Sequence, residues 1–196
     1  MTSSSAACGW SPPASAPEWT DGFAIGGSRN VLIEDCATYS NDDCIAAAAY
    51  PSVVNTRGSG EVTVRRFLGF NPRAQGIRLA WDEVRVNQAP FGAFTFEDAD
   101  FVSDGLGVLI HQRKYGAIRM IDCDFEALKP KARGMDIQGA TPLLELTRVS
   151  LPGPVQATAR IDRLVTEAVI IEDKPLGAVP GPLFKAKPAP AAVESK

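Results

Sequence analysis

The sequence predicts an all-β chain coiled as a parallel β-helix, a solenoid, from residue 19 to residue 174. Two recurrences and one absence predict it. Apolar–x–apolar triplets return at a spacing of about one solenoid repeat, and a second, shorter apolar triplet follows most of them at a nearly fixed offset. Alternating apolar and polar positions mark both sets as strands, and no stretch carries a helical period.

The first triplets are Val31-Leu32-Ile33, Val62-Thr63-Val64, Phe94-Thr95-Phe96, Ile118-Arg119-Met120, Leu144-Glu145-Leu146 and Val169-Ile170-Ile171, with starts 31, 32, 24, 26 and 25 residues apart. The second set is Ile45-Ala46-Ala47, Ile77-Arg78-Leu79, Val108-Leu109-Ile110 and Met135-Asp136-Ile137, offset from the first by 14, 15, 14 and 17 residues. Several first strands share a tail: Ile33-Glu34-Asp35-Cys36, Phe96-Glu97-Asp98-Ala99 and Met120-Ile121-Asp122-Cys123. Gly, Asn, Asp and Pro punctuate the intervals. An antiparallel β-sandwich also has many short strands; the repeated tail favours the solenoid. The rule for parallel crossovers makes the coil right-handed. Stacked apolar columns should then form the core, Val31 to Leu144 in one and Ile33 to Leu146 in another.

Composition bounds the function. The 196 residues suffice for one domain with a real core, and 20 basic against 23 acidic residues predict neither nucleic-acid nor anionic-membrane binding. Four cysteines without a C-x-x-C pair give no zinc or redox motif, and no metal or other cofactor is expected. Cys36 and Cys123 hold the same repeat position and should point inward as small apolar residues; Cys44 could do the same, or join a disulfide. Residues 1–18 lack the basic and apolar regions of a signal peptide and form an irregular segment. Residues 175–196, rich in Pro, Ala and Lys, read as a disordered tail. The coils begin almost at the N-terminus with no clear cap, so the helix reads as incomplete at that end.

Chemistry concentrates in Trp19-Thr20-Asp21-Gly22 and Asn41-Asp42-Asp43-Cys44. Asp21 and Asp43 are 22 residues apart, about one turn of the coil, so they should lie on neighbouring coils with Asp42 beside them. Crowded carboxylates repel, which raises some pKa values and leaves others low. A protonated carboxyl beside an ionised one is what glycosidic hydrolysis needs; for inversion the two stand about 6.5–9.5 Å apart.

At these residues the chain resembles the polygalacturonases and their relatives, glycoside hydrolase family 28. The resemblance rests on Thr20-Asp21-Gly22, Asn30-Val31-Leu32-Ile33 and Asp42-Asp43-Cys44-Ile45-Ala46, and extends to Gln75-Gly76-Ile77-Arg78-Leu79-Ala80. It is specific over roughly thirty residues and beyond them is a general β-helix likeness. The resemblance implies a right-handed parallel β-helix and an inverting, metal-independent hydrolase of a polysaccharide. It makes Asp43 the general acid, Asp21 and Asp42 the water-activating pair, and Arg78 a substrate ligand. It also implies a secreted or periplasmic setting, although no signal peptide is present. Three positions depart from the family pattern. Trp19 replaces its Asn, Ala80 replaces the Lys that accompanies Arg78, and its Gly-His-Gly is missing, leaving His111 as the one histidine.

Each residue also has a bland reading. Asp in a loop often only closes a turn on its own backbone, and Asp104-Gly105 has no partner motif to argue otherwise. Arg78 could bind substrate or form a surface ion pair. Trp19 and Trp81 could stack on a sugar or pack at a coil corner; Glu83 is a spare acid, and a lone His111 is more often structural. Three functions stay open: a glycoside hydrolase, a non-catalytic carbohydrate-binding or structural β-helix, and, more weakly, a calcium-dependent lyase. A monomer with a polysaccharide partner is expected.

Overall fold

A computed structural model of the chain describes residues 20–48, 59–79, 90–130, 132–171 and 174–175. Six short strands, β1 (Phe23–Gly26), β3 (Ile45–Ala48), β5 (Ile77–Leu79), β7 (Leu106–Ile110), β9 (Arg133–Ile137) and β11 (Val155–Ala157), stack as one parallel sheet in that order. Five longer strands, β2 (Arg29–Tyr39), β4 (Gly60–Phe70), β6 (Phe94–Ser103), β8 (Ile118–Ala127) and β10 (Leu144–Leu151), stack as a second. Short and long strands alternate along the chain, and each pairs one coil further on. This is the parallel β-helix expected from the triplets.

The second sheet continues past β10 with β12 (Leu164–Glu167) and β13 (Ile170–Ile171). The last strand, β14 (Lys174–Pro175), lies antiparallel on β13 and pairs Ile170 with Pro175. Of the tail expected from residue 175 onward, only Pro175 is described; residues 1–18 lie outside the described part.

The register sets the core columns. Val31, Val62, Phe94, Ile118 and Leu144 lie opposite one another on successive coils, as do Ile33, Val64, Phe96, Met120 and Leu146. All are buried except Val31, which packs partly buried against the others. The sixth triplet departs from expectation. Leu144 pairs with Leu164, whereas Ile170 and Ile171 pair with Ser150 and Leu151. Leu164-Val165-Thr166 is therefore the sixth first strand, and Val169-Ile170-Ile171 belongs further along the coil. Leu164 is largely exposed and Thr166 is polar, so this strand has no apolar pattern to read.

The shared tail turns out to be a corner. Asp35, Arg66, Asp98, Asp122, Arg148 and Ala168 occupy one column, each with φ between 49° and 54°. A left-handed residue reverses the in–out alternation, so two consecutive residues face outward and burial resumes on the other parity: in β4, Val62 and Val64 point in, Arg65 and Arg66 out, Phe67 in. Short polar Asp tolerates this backbone better than most residues with a Cβ, which accounts for its recurrence there. Opposite charges pair along the same edge. Arg66 binds Asp35 through Nε and Nη2 at 2.6 and 2.8 Å, and Arg148 binds Asp122 in the same two-pronged way at 2.5 and 2.7 Å. All four groups are exposed, so solvent screening leaves these pairs little weight in stability.

Beyond the corner, large and small residues oppose each other between coils. Phe67 faces Ala99, and Phe101 faces Gly69 on one side and Phe125 on the other. The rings of Phe101 and Phe125 stack at 5.1 Å and 8°. Cys36 and Cys123 share the Phe67 column and point inward, and Cys44 is also buried. Phe101 thus sits where three coils interlock. Phe101→Ala is expected to destabilise the fold by ~3–5 kcal/mol, read as a lower urea midpoint with an unchanged m-value. A midpoint unchanged within error would mean that the ring stack does not hold the coils together.

Candidate active site

Backbone pairing builds the acidic cluster. Phe23 lies opposite Ile45, which places Asp21 opposite Asp43 one coil away. The Gly22 N–H donates to the Asp43 carbonyl at 2.8 Å, and the Phe23 N–H donates to that of Cys44 at 3.0 Å. Gly22 permits this close approach: a Cβ there would stand 2.5 Å from both Cys44 O and Thr38 Oγ1. The Asp-Gly pair is therefore a packing requirement, not a turn signal. Thr20 O accepts from the Asn41 and Asp42 N–H groups at 3.2 and 3.1 Å and folds the doublet back beside Asp21.

One carboxylate oxygen each from Asp21, Asp42 and Asp43 falls within 4.8 Å of the others. Asp21 and Asp42 are half-buried, and Asp43 is 2 % exposed. The nearest oxygens are thus closer than the ~6.5–9.5 Å between carboxyl groups expected above. The cause is the coil spacing, since residues in register on adjacent strands stand about 4.8 Å apart.

Burial pushes the Asp43 carboxyl up to about 7; Asp42 and Asp21 push it the same way, while Arg78 and the Gln75 N–H oppose. Asp21 is also raised, first by burial and then by Asp42. Near neutral pH the Asp43 carboxyl is therefore partly protonated. Arg78 enters from β5 of the next coil, with Nη1 3.7 Å from Asp43 Oδ2. Three acids this close have the size of a divalent-cation site, with the Arg78 guanidinium beside them.

Two residues belong here that the sequence did not single out for this site. Asn71, fully buried, follows β4 and caps the turn that carries Gln75. Its Oδ1 accepts from the Arg73 and Ala74 N–H groups at 2.7 and 2.8 Å. Its Nδ2 donates to Gln75 O at 3.1 Å and to Asp42 O on the previous coil. The Gln75 N–H in turn donates to Asp43 Oδ1 at 3.1 Å. Only the repeat register, with Asn71 one coil past Ser40, hinted at this placement.

His111 is the second. It follows β7, two coils beyond the doublet, yet Nε2 stands 3.5 Å from Arg78 Nη2. The buried Tyr115 hydroxyl fixes its backbone, lying 2.9 Å from Leu79 O and 3.0 Å from His111 O. Arg78 thus lies between the acids and the imidazole. Asp104 is held elsewhere, in an ion pair with Lys129 at 2.6 Å. Trp19, Trp81 and Glu83 lie outside the described residues.

Comparison with known proteins agrees with the resemblance expected from the Asp motifs. A polygalacturonase of Saccharomyces cerevisiae is 28% identical over 165 residues, an alignment covering 76% of this chain and 43% of that protein. The chain thus spans less than half the length of that relative. No family model matches the chain, and no solved structure does.

The buried acid ties stability to pH. Its folded-state pKa is raised from 3.8 to about 7, so the protonated form favours folding. That contribution is complete below the ordinary carboxylate range and is lost as the pH rises through about 7. Asp43→Asn, which keeps the shape and removes the titration, should flatten the loss. At about pH 8 the variant should exceed wild type by on the order of a few kcal/mol, shrinking towards about pH 4. Urea titrations across that range check this; parallel pH dependences in the two proteins would place the titrating group elsewhere.

Proposed function

We propose that this chain carries the acid–base centre of a glycoside hydrolase of the polygalacturonase type, acting on a polysaccharide. The observation that carries the proposal is the buried Asp43 carboxyl, with carboxylate oxygens of Asp21 and Asp42 within 4.8 Å and burial pushing its pKa up to about 7. In this reading Asp43 donates its proton to the departing glycosidic oxygen. Asp21 and Asp42, less buried, hold and activate the water. The leaving group is a sugar alcohol, so it needs a proton as the bond breaks, and an ordinary surface Asp would hold none at neutral pH.

Arg78 has two tasks. Its charge limits how far the Asp43 pKa climbs, and its position between Asp43 and His111 lets it meet an anionic or hydroxyl-rich sugar. The relative's name suggests a polymer of galacturonic acid, for which an Arg and an adjacent imidazole are suitable partners. Inversion at the anomeric carbon follows if the water is held on the Asp21–Asp42 side, away from the proton donor. The close oxygen spacing makes the first-formed anomer, read by proton NMR, a direct test; retention would instead assign one carboxylate as a nucleophile. A carbohydrate-binding β-helix without catalysis is the second reading, favoured by Ala80 where the family pattern has a Lys.

The proposal expects release of reducing ends from polygalacturonate, unaffected by a chelator. Products should carry no conjugated double bond, which a lyase would leave. Asp43→Asn should lower kcat/KM ~10²–10⁴-fold while circular dichroism stays unchanged. The rate should fall above about pH 7, as Asp43 loses its proton, and again in acid as the raised Asp21 is protonated. Full activity in Asp43→Asn would remove the mechanism. Binding of the polymer without cleavage would leave the carbohydrate-binding reading.

A further inference from the structure

We propose that Asn71 is a positioning residue of the acidic site: its amide ties the Asp42 carbonyl to the Gln75 turn and so seals the Asp43 carboxyl against the next coil. The proposal deepens the hydrolase reading and uses the same site. It rests on the bonds of one fully buried side chain.

The argument begins with the residues that replace Asn71 on neighbouring coils. Tyr39, Phe70 and Val102 are in register, so Ser40, Asn71 and Ser103 occupy one column at the ends of β2, β4 and β6. All three are buried, at 2 %, 0 % and 0 % exposure. Ser40 Oγ bonds Asp42 O at 2.9 Å, and Ser103 Oγ bonds Leu106 O at 3.2 Å, each within its own turn. A hydroxyl is therefore enough to close this turn of the coil. Asn71 does the local task with Oδ1, through the Arg73 and Ala74 amides. Its longer, two-ended side chain then reaches where a serine cannot, to Asp42 O one coil back.

That extra reach determines the setting of Asp43. The Asp42–Asp43 peptide is pinned on its carbonyl by Ser40 and Asn71, and on its N–H by Asp42 Oδ1 at 3.1 Å. The same Asn71 amide holds Gln75 O, which keeps the Gln75 N–H on Asp43 Oδ1. The charged or titratable groups facing Asp43 are Asp21 from the previous coil, Asp42 and Cys44 on its own loop, and Arg78 from β5, with His111 behind Arg78. Backbone pairing crosses part of the seam between the doublet loop and the Gln75 turn, with the Cys44 N–H donating to Gln75 O at 3.2 Å. Asn71 adds the side-chain tie at the Asp42 carbonyl, and exclusion of water is the largest cause of the raised Asp43 pKa.

Asn71→Ser installs the residue that its column already accepts on both sides, and Asn71→Thr serves if the serine variant does not fold. With aspartate carboxyls labelled with carbon-13 and Asp43 assigned by loss of its signal in Asp43→Asn, NMR follows this one titration. Wild type should titrate near 7. The variant should titrate at least one pH unit lower, because water entering the loosened seam outweighs the loss of the Gln75 bond. If the enzyme is active, the alkaline limb of its pH–rate profile should move down by the same amount. An unchanged Asp43 titration in a folded variant would overturn the proposal and leave Asn71 a turn cap. Loss of catalysis is a separate outcome: if neither protein cleaves polygalacturonate but the titration still moves, the hydrolase reading fails and the positioning role stands.

Discussion

The structure depends on backbone register between successive coils. Each strand pairs in parallel with its counterpart one turn away, and every other feature inherits that alignment. The apolar columns exist because Val62 stands over Val31 and Phe94 over Val62. The acidic cluster exists because the pairing that puts Phe23 on Ile45 also puts Asp21 on Asp43. A slip of one residue would turn the core columns outward and separate the carboxylates together. Fold and site are thus held by one constraint.

Burial and charge then compete within the cluster. Asp43 lies almost out of reach of water, where a carboxylate is costly. Arg78 at 3.7 Å lowers that cost, and two neighbouring acids raise it. Burial dominates, so the carboxyl keeps its proton up to about 7. The arrangement gives chemically identical side chains different settings: Asp43 is sealed from water, while Asp21 and Asp42 are more open to solvent.

What could be read in the sequence was whatever repeats with a side-chain pattern. The five apolar triplets from Val31 to Leu144 and the four short ones from Ile45 to Met135 align in the coil as their spacing implies. The sixth did not, because Leu164-Val165-Thr166 has lost the pattern while Val169-Ile170-Ile171, past the corner, imitates it. The Glu-Asp tail was visible, but its meaning was not, since a left-handed backbone is not written in polarity. His111 looked remote because it is 33 residues from Arg78; wound into coils, that distance is one step between neighbouring strands. Asn71 belongs to no motif that would single it out, and only three-dimensional bonds distinguish it from Ser40 and Ser103.

The tie between the Asp42 loop and the Gln75 turn also bears on the order of assembly. A solenoid grows by adding coils to a neighbour, and its contacts never reach far along the chain. With the coil through Ala48 in place, Asp21 already meets Asp43, but Asn71, Gln75 and Arg78 have yet to arrive. Without them Asp43 lacks the cover that keeps water from it. Burial of Asp43 and closure of the coil that carries Arg78 are therefore a single event.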